Sequence, residues 1–217
     1  MTNDAIVVGG SYAGMSAALQ LLRARRRVTV IDGGKRRNRF ASHSHGFLTR
    51  DGEDPAQIAA IAREQLMAYP TLNWIDGEAV GAEKAGDVFR VTLADGHVQE
   101  SKRLVLATGM ADQLPEVEGI AERWGRSVFH CPYCHGYELG GARVGIIASM
   151  PMSAHQAMLL SEWGPVTHLT RGMFEPSAEE MAMLEARSVE IERTPIARLV
   201  GEADVELVDG RILQFAG

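Results

Sequence analysis

The chain has 217 residues, of which 46% are hydrophobic and 23% are charged, and its formal net charge is -6. This composition is typical of a soluble globular protein with room for one large domain or two smaller ones. Nucleic acid and anionic membrane surfaces are unfavourable partners for such a chain, because both are negative and would repel it.

The N-terminus gives no sign of export. Residues 1–4 include no basic side chain and lead directly into a short apolar run, so the sequence predicts neither a signal peptide nor a transmembrane helix. The two cysteines lie three positions apart, whereas a secreted disulfide scaffold has many spaced cysteines. We therefore expect a cytoplasmic protein whose close cysteine pair has a function.

In chain order, the first pattern is a strand, a tight turn, a helix and a second strand. The apolar run over residues 5–8 is followed by glycines, and residues 13–22 have a helix-favouring composition. A second apolar run over residues 28–31 ends in Asp32. This order predicts a β-α-β unit with two parallel strands.

The next segment, residues 33–54, is rich in glycine, arginine, histidine and serine and has no periodicity. Loops of this length are usually functional or disordered. Pro55 is expected to start a helix that runs to about Tyr69.

Short strands are predicted between residues 72 and 101. The pair Asp95-Gly96 predicts the turn of a hairpin between strands over residues 88–93 and 98–101. A strand of the buried type over residues 103–107 completes the first half of the chain.

A second alternating series follows a domain boundary that we place near Gln113. Its predicted elements are strands over 144–148 and 166–170, helices over 152–163 and 177–187, and short strands up to Phe215. The series repeats the plan of the first half in outline. We therefore predict an α/β protein with two three-layer dinucleotide-binding domains, 1–112 and 113–217.

The segment from Val7 to Gly14 stands where a dinucleotide fingerprint belongs, directly after a strand and at the start of a helix. Gly9 permits the tight turn, and Gly14 lets the helix and the strand pack closely. The N–H groups at the helix start can receive a pyrophosphate. The usual second glycine is replaced by Ser11, whose small side chain narrows the approach without blocking it.

Asp32 ends the second strand, about twenty residues after the glycine turn. At that place a carboxylate can accept hydrogen bonds from ribose hydroxyls, and it disfavours a ribose phosphate. The turn, helix, strand and acid together predict a dinucleotide site, but they do not distinguish FAD from NAD.

A second motif is the segment Cys131-Pro132-Tyr133-Cys134-His135. The spacing of its cysteines lets them close a reversible disulfide. His130 and His135 can supply positive charge that favours a thiolate, and His135 can exchange protons near neutral pH. The alternative is a zinc site, but the second separated pair of ligands that such a site commonly needs is not visible in the sequence. We therefore predict redox chemistry and no metal.

With these motifs the chain resembles the thioredoxin-reductase family of FAD-dependent disulfide oxidoreductases. The resemblance covers essentially the whole sequence and rests on the turn at residues 9–14, the strand end Ala107-Thr108-Gly109 and the segment at residues 131–135. His135 follows the second cysteine where thioredoxin reductases usually carry aspartate. The chain is therefore most similar to a branch of the family that includes small-molecule dithiol oxidases.

The resemblance implies FAD as the cofactor and a role for each motif. Cys134 would form the charge-transfer thiolate next to the flavin, Cys131 would exchange with the substrate, and His135 would act as acid and base. The residues implied to hold FAD are Gly9, Gly10, Ser11, Tyr12, Ala13, Gly14, Asp32, Gly33, Arg37, Asn38, His45, Val80, Ala107, Thr108 and Gly109.

The chain departs from the family pattern in two places. The second domain of the family carries a glycine turn for NADPH, whereas residues 148–154 contain no glycine here, and the basic pair expected after the next strand is reduced to Arg171. This departure argues against NADPH and favours another electron partner, including oxygen. The chain also stops before the family's return to the flavin domain, so we expect a flavin domain that lacks its C-terminal return segment.

The resemblance predicts an FAD-dependent dithiol–disulfide oxidoreductase of the thioredoxin-reductase type. Its substrate would be a thioredoxin-like protein or a small-molecule dithiol or disulfide, and the enzyme would be a homodimer, as is usual in the family. Two alternatives stay open at this point. One is an oxygen-dependent dithiol oxidase that forms a disulfide in a small molecule, and the other is a non-catalytic flavin-binding fragment.

Overall fold

The computed structural model describes residues 3–217, and these residues fall into two compact units. The first unit contains the described chain up to Arg39 together with Glu53–Ala111, and the second contains Phe40–Gly52 and Asp112–Gly217. The loop segment Phe40–Gly52 therefore belongs to the second unit, although it interrupts the first in sequence. The functional division at 1–112 and 113–217 stays a prediction.

The first unit is built on a parallel four-stranded sheet. In chain order its elements are β1 (Ala5–Val8), α1 (Tyr12–Arg23), β2 (Val28–Asp32), α2 (Pro55–Met67), β3 (Leu72–Asp76), β4 (Ala79–Ala85), β5 (Val88–Leu93), β6 (Val98–Ser101) and β7 (Leu104–Leu106). The sheet has the strand order β3-β2-β1-β7. The predicted parallel pairing of β1 with β2 is confirmed, with Ala5 opposite Val28.

Helix α1 packs on this sheet through one apolar face. Met15, Ala18 and Leu22 follow the spacing of helix turns and join Val7 and Val28 in the core. Strands β1 and β2 are buried along almost their whole length, as parallel strands covered on both faces usually are. Because the strands are parallel, the carboxyl ends of β1, β2 and β7 meet at one edge of the sheet.

The predicted hairpin is confirmed in the antiparallel sheet of β4, β5 and β6. Gly96 adopts a φ of 86°, which glycine tolerates without strain, and its N–H donates to the carbonyl of Leu93. Asp95 fixes the turn by accepting a hydrogen bond of 3.0 Å from the backbone N–H of His97.

The second unit repeats the alternation of strands and helices. Its elements are α3 (Ile120–Arg123), α4 (Pro132–His135), β8 (Val144–Ile147), α5 (Ser153–Leu160), β9 (Val166–Leu169), α6 (Ala178–Ala186), β10 (Glu190–Glu192), β11 (Ile196–Val200), β12 (Asp204–Leu207) and β13 (Ile212–Leu213). A parallel sheet has the order β10-β9-β8, and β11, β12 and β13 form an antiparallel sheet. The predicted α/β class with two Rossmann-like units is thereby confirmed.

Capping residues explain where two of the helices begin. Asp54 accepts a hydrogen bond of 2.6 Å from the N–H of Ala56, and Pro55 fits the first helical position, so α2 starts where the sequence predicts. Ser177 and Glu180 form a reciprocal capping box at the start of α6. Within residues 3–217, no helix has both the length and the apolar character needed to span a bilayer.

The structure differs from the sequence prediction at the cysteine pair and at α5. The sequence analysis predicts no helix at the cysteines, whereas the chain forms the one-turn helix α4 there, because Pro132 is pre-set for the first helical position. Helix α5 ends at Leu160, before the predicted end at residue 163. The hydroxyl of Ser161 bonds the carbonyl of Met158 there, a local contact that competes with helix continuation.

Candidate functional site

The turn between β1 and α1 is closely packed, and its glycines are required. Gly9 has a φ of 106°, and a Cβ at this position would overlap the carbonyl of Ala107. A Cβ on Gly14 would overlap the carbonyl of Gly9. Any side chain at these two places would push apart β1, α1 and the residues after β7, so the turn needs glycine for backbone access.

The start of α1 is suited to an anion. The hydroxyl of Ser11 makes no capping hydrogen bond, and the first turn of the helix contains no acidic residue. A pyrophosphate would therefore meet the positive end of the helix without competition from a capping side chain or from a like charge.

Asp32 is held in a fixed orientation at the end of β2. Its Oδ1 accepts hydrogen bonds from the backbone N–H groups of Gly10, at 3.2 Å, and Gly34, at 3.1 Å. A Cβ on Gly10 would lie 2.6 Å from the Asp32 side chain and 2.7 Å from the ring of Trp74, so glycine is needed for this approach as well. The carboxylate has the position and orientation expected of a ribose ligand.

Several other predicted cofactor residues lie in the same unit. Asn38 donates from Nδ2 to the Tyr12 hydroxyl at 3.3 Å, and that hydroxyl donates to the carbonyl of Pro55 at 3.0 Å. Val80 is 62% exposed on β4. The remaining predicted residues of this unit are Ala13 on α1, Gly33 after β2, Arg37 in the following turn, and Ala107, Thr108 and Gly109 after β7.

The glycine cradle, the uncapped helix start and the oriented carboxylate fit the adenosine diphosphate part of FAD. The residues that would hold it are Gly9, Gly10, Gly14 and Asp32. The individual assignments to FAD stay predictions.

The second unit contains an open cavity of about 960 Å³. It is lined by residues from the loop Phe40–Gly52 and from the cysteine segment, including Phe40, His45, Phe129, Cys134, His135 and Glu138. The loop residue His45, which the resemblance assigns to the cofactor, thus shares a cavity with the predicted redox motif.

The cysteine pair lies at the beginning of α4. Cys131 precedes the helix, Cys134 is within it, and the Cys134 N–H lies 3.2 Å from the Cys131 carbonyl. Both cysteines are partly buried. A single helical turn separates them along the chain.

The ring of Trp163 packs against α4 and the residue that follows it. The ring of Tyr133 meets that of Trp163 edge to face, with 5.1 Å between centroids. A Cβ on Gly136 would lie 2.8 Å from the same indole ring, so the residue after α4 must be small. Trp163 therefore packs against the predicted redox motif, a contact that the sequence analysis did not identify.

His135 is half-buried beside the cavity. Its ring stacks on Phe129, with 4.8 Å between centroids and 12° between planes. Burial lowers the pKa of His135, while the Cys131 backbone and the Glu138 carboxylate oppose that shift. Neutral imidazole is therefore the main form near neutral pH, which suits a proton acceptor.

Glu138 is a residue of this cavity to which the sequence analysis gave no role. Its Oε1 lies 3.5 Å from Nε2 of His45, whose Nδ1 lies 3.7 Å from Oδ1 of Asp51. Glu138 lies four residues after Cys134, and residues four apart in a helical segment share a face. In the structure this spacing places Glu138 on the side of the cavity that Cys134 lines. Within residues 3–217, no group of three or more His, Cys, Asp or Glu side chains is arranged to hold a metal ion.

Comparisons with known proteins identify the family of this chain. The crystal structure of an oxidoreductase from Agrobacterium tumefaciens is 51% identical, has a TM-score of 0.96, and is matched over 100% of this chain and 74% of that chain. Thioredoxin reductase tcpT of Claviceps purpurea is 36% identical over 69% of this chain and 47% of its own length. Thioredoxin reductase aclD of Aspergillus oryzae is 36% identical over 77% of this chain and 52% of its own length.

The chain therefore spans about half the length of these curated relatives. A family model described as pyridine nucleotide-disulphide oxidoreductase matches residues 3–213. The family and these relatives imply FAD as the cofactor, with NAD(P)H as the electron donor, and the prediction of FAD is thereby confirmed. The chain belongs to the pyridine nucleotide-disulphide oxidoreductase family, with thioredoxin reductases among its relatives.

Proposed function

We propose that this chain carries the dithiol–disulfide exchange site of an FAD-dependent oxidoreductase, with Cys131 and Cys134 as the redox pair. The observation that carries the proposal is the arrangement of Cys134 and His135 on one short helix, where both line the same cavity. FAD, when bound, supplies two-electron exchange with this pair.

Cys131 is the residue that exchanges with the substrate. In the oxidising direction, a substrate thiolate attacks Sγ of Cys131 in the Cys131–Cys134 disulfide, and that S–S bond breaks as a mixed disulfide forms. Cys134 leaves as the thiolate. The second substrate thiolate then attacks the substrate sulfur of the mixed disulfide, which releases the oxidised substrate and the Cys131 thiolate. The reverse sequence reduces a disulfide substrate.

His135 moves the proton that this exchange requires. Its neutral imidazole accepts a proton from the attacking substrate thiol and gives it to the Cys131 thiolate that leaves in the second step, so that Cys134 stays a thiolate. Glu138 faces His45 and opposes the lowering of the His135 pKa, so it is a positioning residue that adjusts how readily the imidazole takes up the proton.

The substrate is a small-molecule dithiol or a thioredoxin-like protein. The cavity supports the small molecule, because a volume of about 960 Å³ is within the usual range of small-ligand sites. The names of the fungal relatives support a thioredoxin-like protein. A cytoplasmic location and a homodimer stay predictions.

The test is the substitution Cys134→Ser in the full-length protein loaded with FAD. We expect turnover of a dithiol substrate to fall at least about a thousandfold while FAD stays bound, because the pair can no longer form a disulfide. The long-wavelength charge-transfer absorbance of the reduced enzyme should also disappear.

Cys131→Ser is the matched control, since it should lose turnover but keep the charge-transfer band. Full activity of Cys134→Ser would contradict the assignment. Mass spectrometry of the nucleotide released from the wild-type protein addresses the non-catalytic alternative, and recovery of FAD together with cysteine-dependent turnover would exclude that alternative.

A further inference from the structure

The turn between β8 and α5 is where a dinucleotide would bind in the second unit. In a Rossmann-like unit, the pyrophosphate is received by backbone N–H groups between the first strand and the helix that follows it. Here that segment runs from Ala148 to Met152, between the end of β8 and the start of α5.

The N–H groups of Ser149 and Met150 in this turn are used by the chain itself. The buried hydroxyl oxygen of Ser153 accepts from the N–H of Ser149 at 3.1 Å and from the N–H of Met150 at 3.3 Å. Pro151 has no N–H. The N–H of Ser153 donates to the carbonyl of Met150 at 3.0 Å. A pyrophosphate would have to displace the Ser153 hydroxyl to reach these donors.

The surface of the same turn carries large side chains. Met150 is 52% exposed and Met152 is 69% exposed, and residues 148–154 contain no glycine. A dinucleotide needs a close approach to the backbone at this place, and glycine normally provides it. The methionine side chains take up part of that space.

At the ribose end of the site, the acidic side chain already has partners within the chain. After β9, the Glu175 carboxylate accepts from the Thr170 hydroxyl at 3.1 Å and pairs with Nε of Arg193 at 3.0 Å. A 2′-phosphate would meet a like charge.

We propose that the second unit does not bind NAD(P)H, in contrast to what the family implies. This inference rests on the proposed function, because the absence of nucleotide binding means that the cysteine pair and the flavin exchange electrons with the dithiol or disulfide substrate without a nicotinamide donor at this turn.

The first measurement is nucleotide binding to the full-length, FAD-loaded protein by isothermal titration calorimetry. NADPH and NADH should give no saturable heat up to millimolar concentration. Without oxygen, neither nucleotide should bleach the flavin absorbance, whereas dithiothreitol should bleach it.

The outcomes separate the two proposals. Saturable NADPH or NADH binding in the micromolar range, or bleaching of the flavin by either nucleotide, would refute the proposal that the second unit does not bind NAD(P)H. It would leave the proposed dithiol site unaffected. Failure of dithiothreitol to bleach the flavin would overturn the proposed function instead.

The substitution Ser153→Ala tests what closes the turn. It frees the N–H groups of Ser149 and Met150, so NADPH should bind at least about tenfold more tightly than to the wild-type protein. Ser161→Ala is the matched control, because it removes a serine hydroxyl at the other end of α5 and should leave NADPH binding unchanged. An equal change in both variants, or none in Ser153→Ala, would refute the role of the Ser153 hydroxyl.

Discussion

The two strand-to-helix turns of this protein have the same place in the fold and opposite chemistry. After β1, glycines at positions 9, 10 and 14 expose the backbone, and the Ser11 hydroxyl caps nothing. After β8 there is no glycine, and the Ser153 hydroxyl accepts two backbone hydrogen bonds. A Rossmann-like unit is therefore not in itself a nucleotide site, and the partners of its turn N–H groups distinguish an open turn from a closed one.

The largest test of this comparison is Gly14→Ala in the first turn. The added Cβ would overlap the Gly9 carbonyl, so β1 and α1 must separate. We expect loss of FAD from the purified protein and a fall of about 3 kcal/mol or more in the free energy of unfolding. Absorbance and urea titration measure the two effects.

Gly81→Ala is the control for that substitution, because a Cβ on Gly81 in β4 meets no atom within 4 Å. This variant should retain FAD and unfold close to the wild-type midpoint. Retention of FAD by Gly14→Ala would contradict the difference between the two turns. The close packing of Gly14 on the Gly9 carbonyl would then not be needed for FAD binding.

A smaller effect is expected from Asp32→Ala. The substitution removes the ribose acceptor and releases the N–H groups of Gly10 and Gly34, so the Kd for FAD should rise about tenfold to a hundredfold. Fluorescence titration of the apoprotein with FAD measures this change.

Asp76 provides a control at the same edge of the sheet, because it is the register partner of Asp32 on β3. Its carboxylate is bonded to Arg63 and Trp74. Asp76→Ala should change the Kd for FAD by less than about threefold, since the loss is that of an exposed pair. An equal rise in the Kd for FAD in Asp32→Ala and Asp76→Ala would contradict the assignment of Asp32 as the ribose ligand.

Local sequence patterns were enough to predict most of the fold. The apolar runs before Gly9 and before Asp32, and the Asp95-Gly96 hairpin, are specified by neighbouring residues, and the structure contains each of them. The missing glycine after β8 was visible as well. These features depend on contacts within a few positions of the chain, which periodicity and turn chemistry describe.

The grouping of the cavity residues could not be predicted in this way. His45 was assigned to the cofactor by resemblance, and its contact with Glu138 depends on the loop Phe40–Gly52 joining the second unit. The closed state of the second turn likewise depends on the direction of one hydroxyl, that of Ser153. A sequence pattern shows which groups are present but not which of them meet.

Substitution of Ser153 should lower the free energy of unfolding modestly more than substitution of Ser11. Ser153→Ala leaves two backbone N–H groups without their acceptor and should lower the free energy of unfolding by about 1 kcal/mol. Ser11→Ala removes no capping bond and should change it by less than about 0.5 kcal/mol. Urea unfolding of the protein with FAD removed measures both, and equal losses would count against the difference between the turns.

The smallest change in the free energy of unfolding at neutral pH is expected from a substitution of His168. This prediction compares the cores of the two units. His168 is fully buried on β9, whereas Thr29 and Val30 are the buried residues at the centre of β2 in the first unit. Burial lowers the pKa of His168, although the charges of Glu175 and Glu180 oppose the shift. The unfolded chain therefore binds more protons than the folded one below about pH 6.5, and stability should fall as the pH drops through that value.

His168→Leu should remove part of this pH dependence, because the leucine side chain carries no proton in either state. The difference between the urea midpoints at about pH 7.5 and about pH 5.5 should be smaller than in the wild-type protein. His97→Gln is the control, since His97 is an exposed side chain of the first unit, and it should not reproduce the reduction expected from His168→Leu. Burial also lowers the pKa of His135, which contributes to the pH dependence that remains. If His168→Leu kept the full wild-type pH dependence, the sensitivity to acid could not be assigned to the core of the second unit.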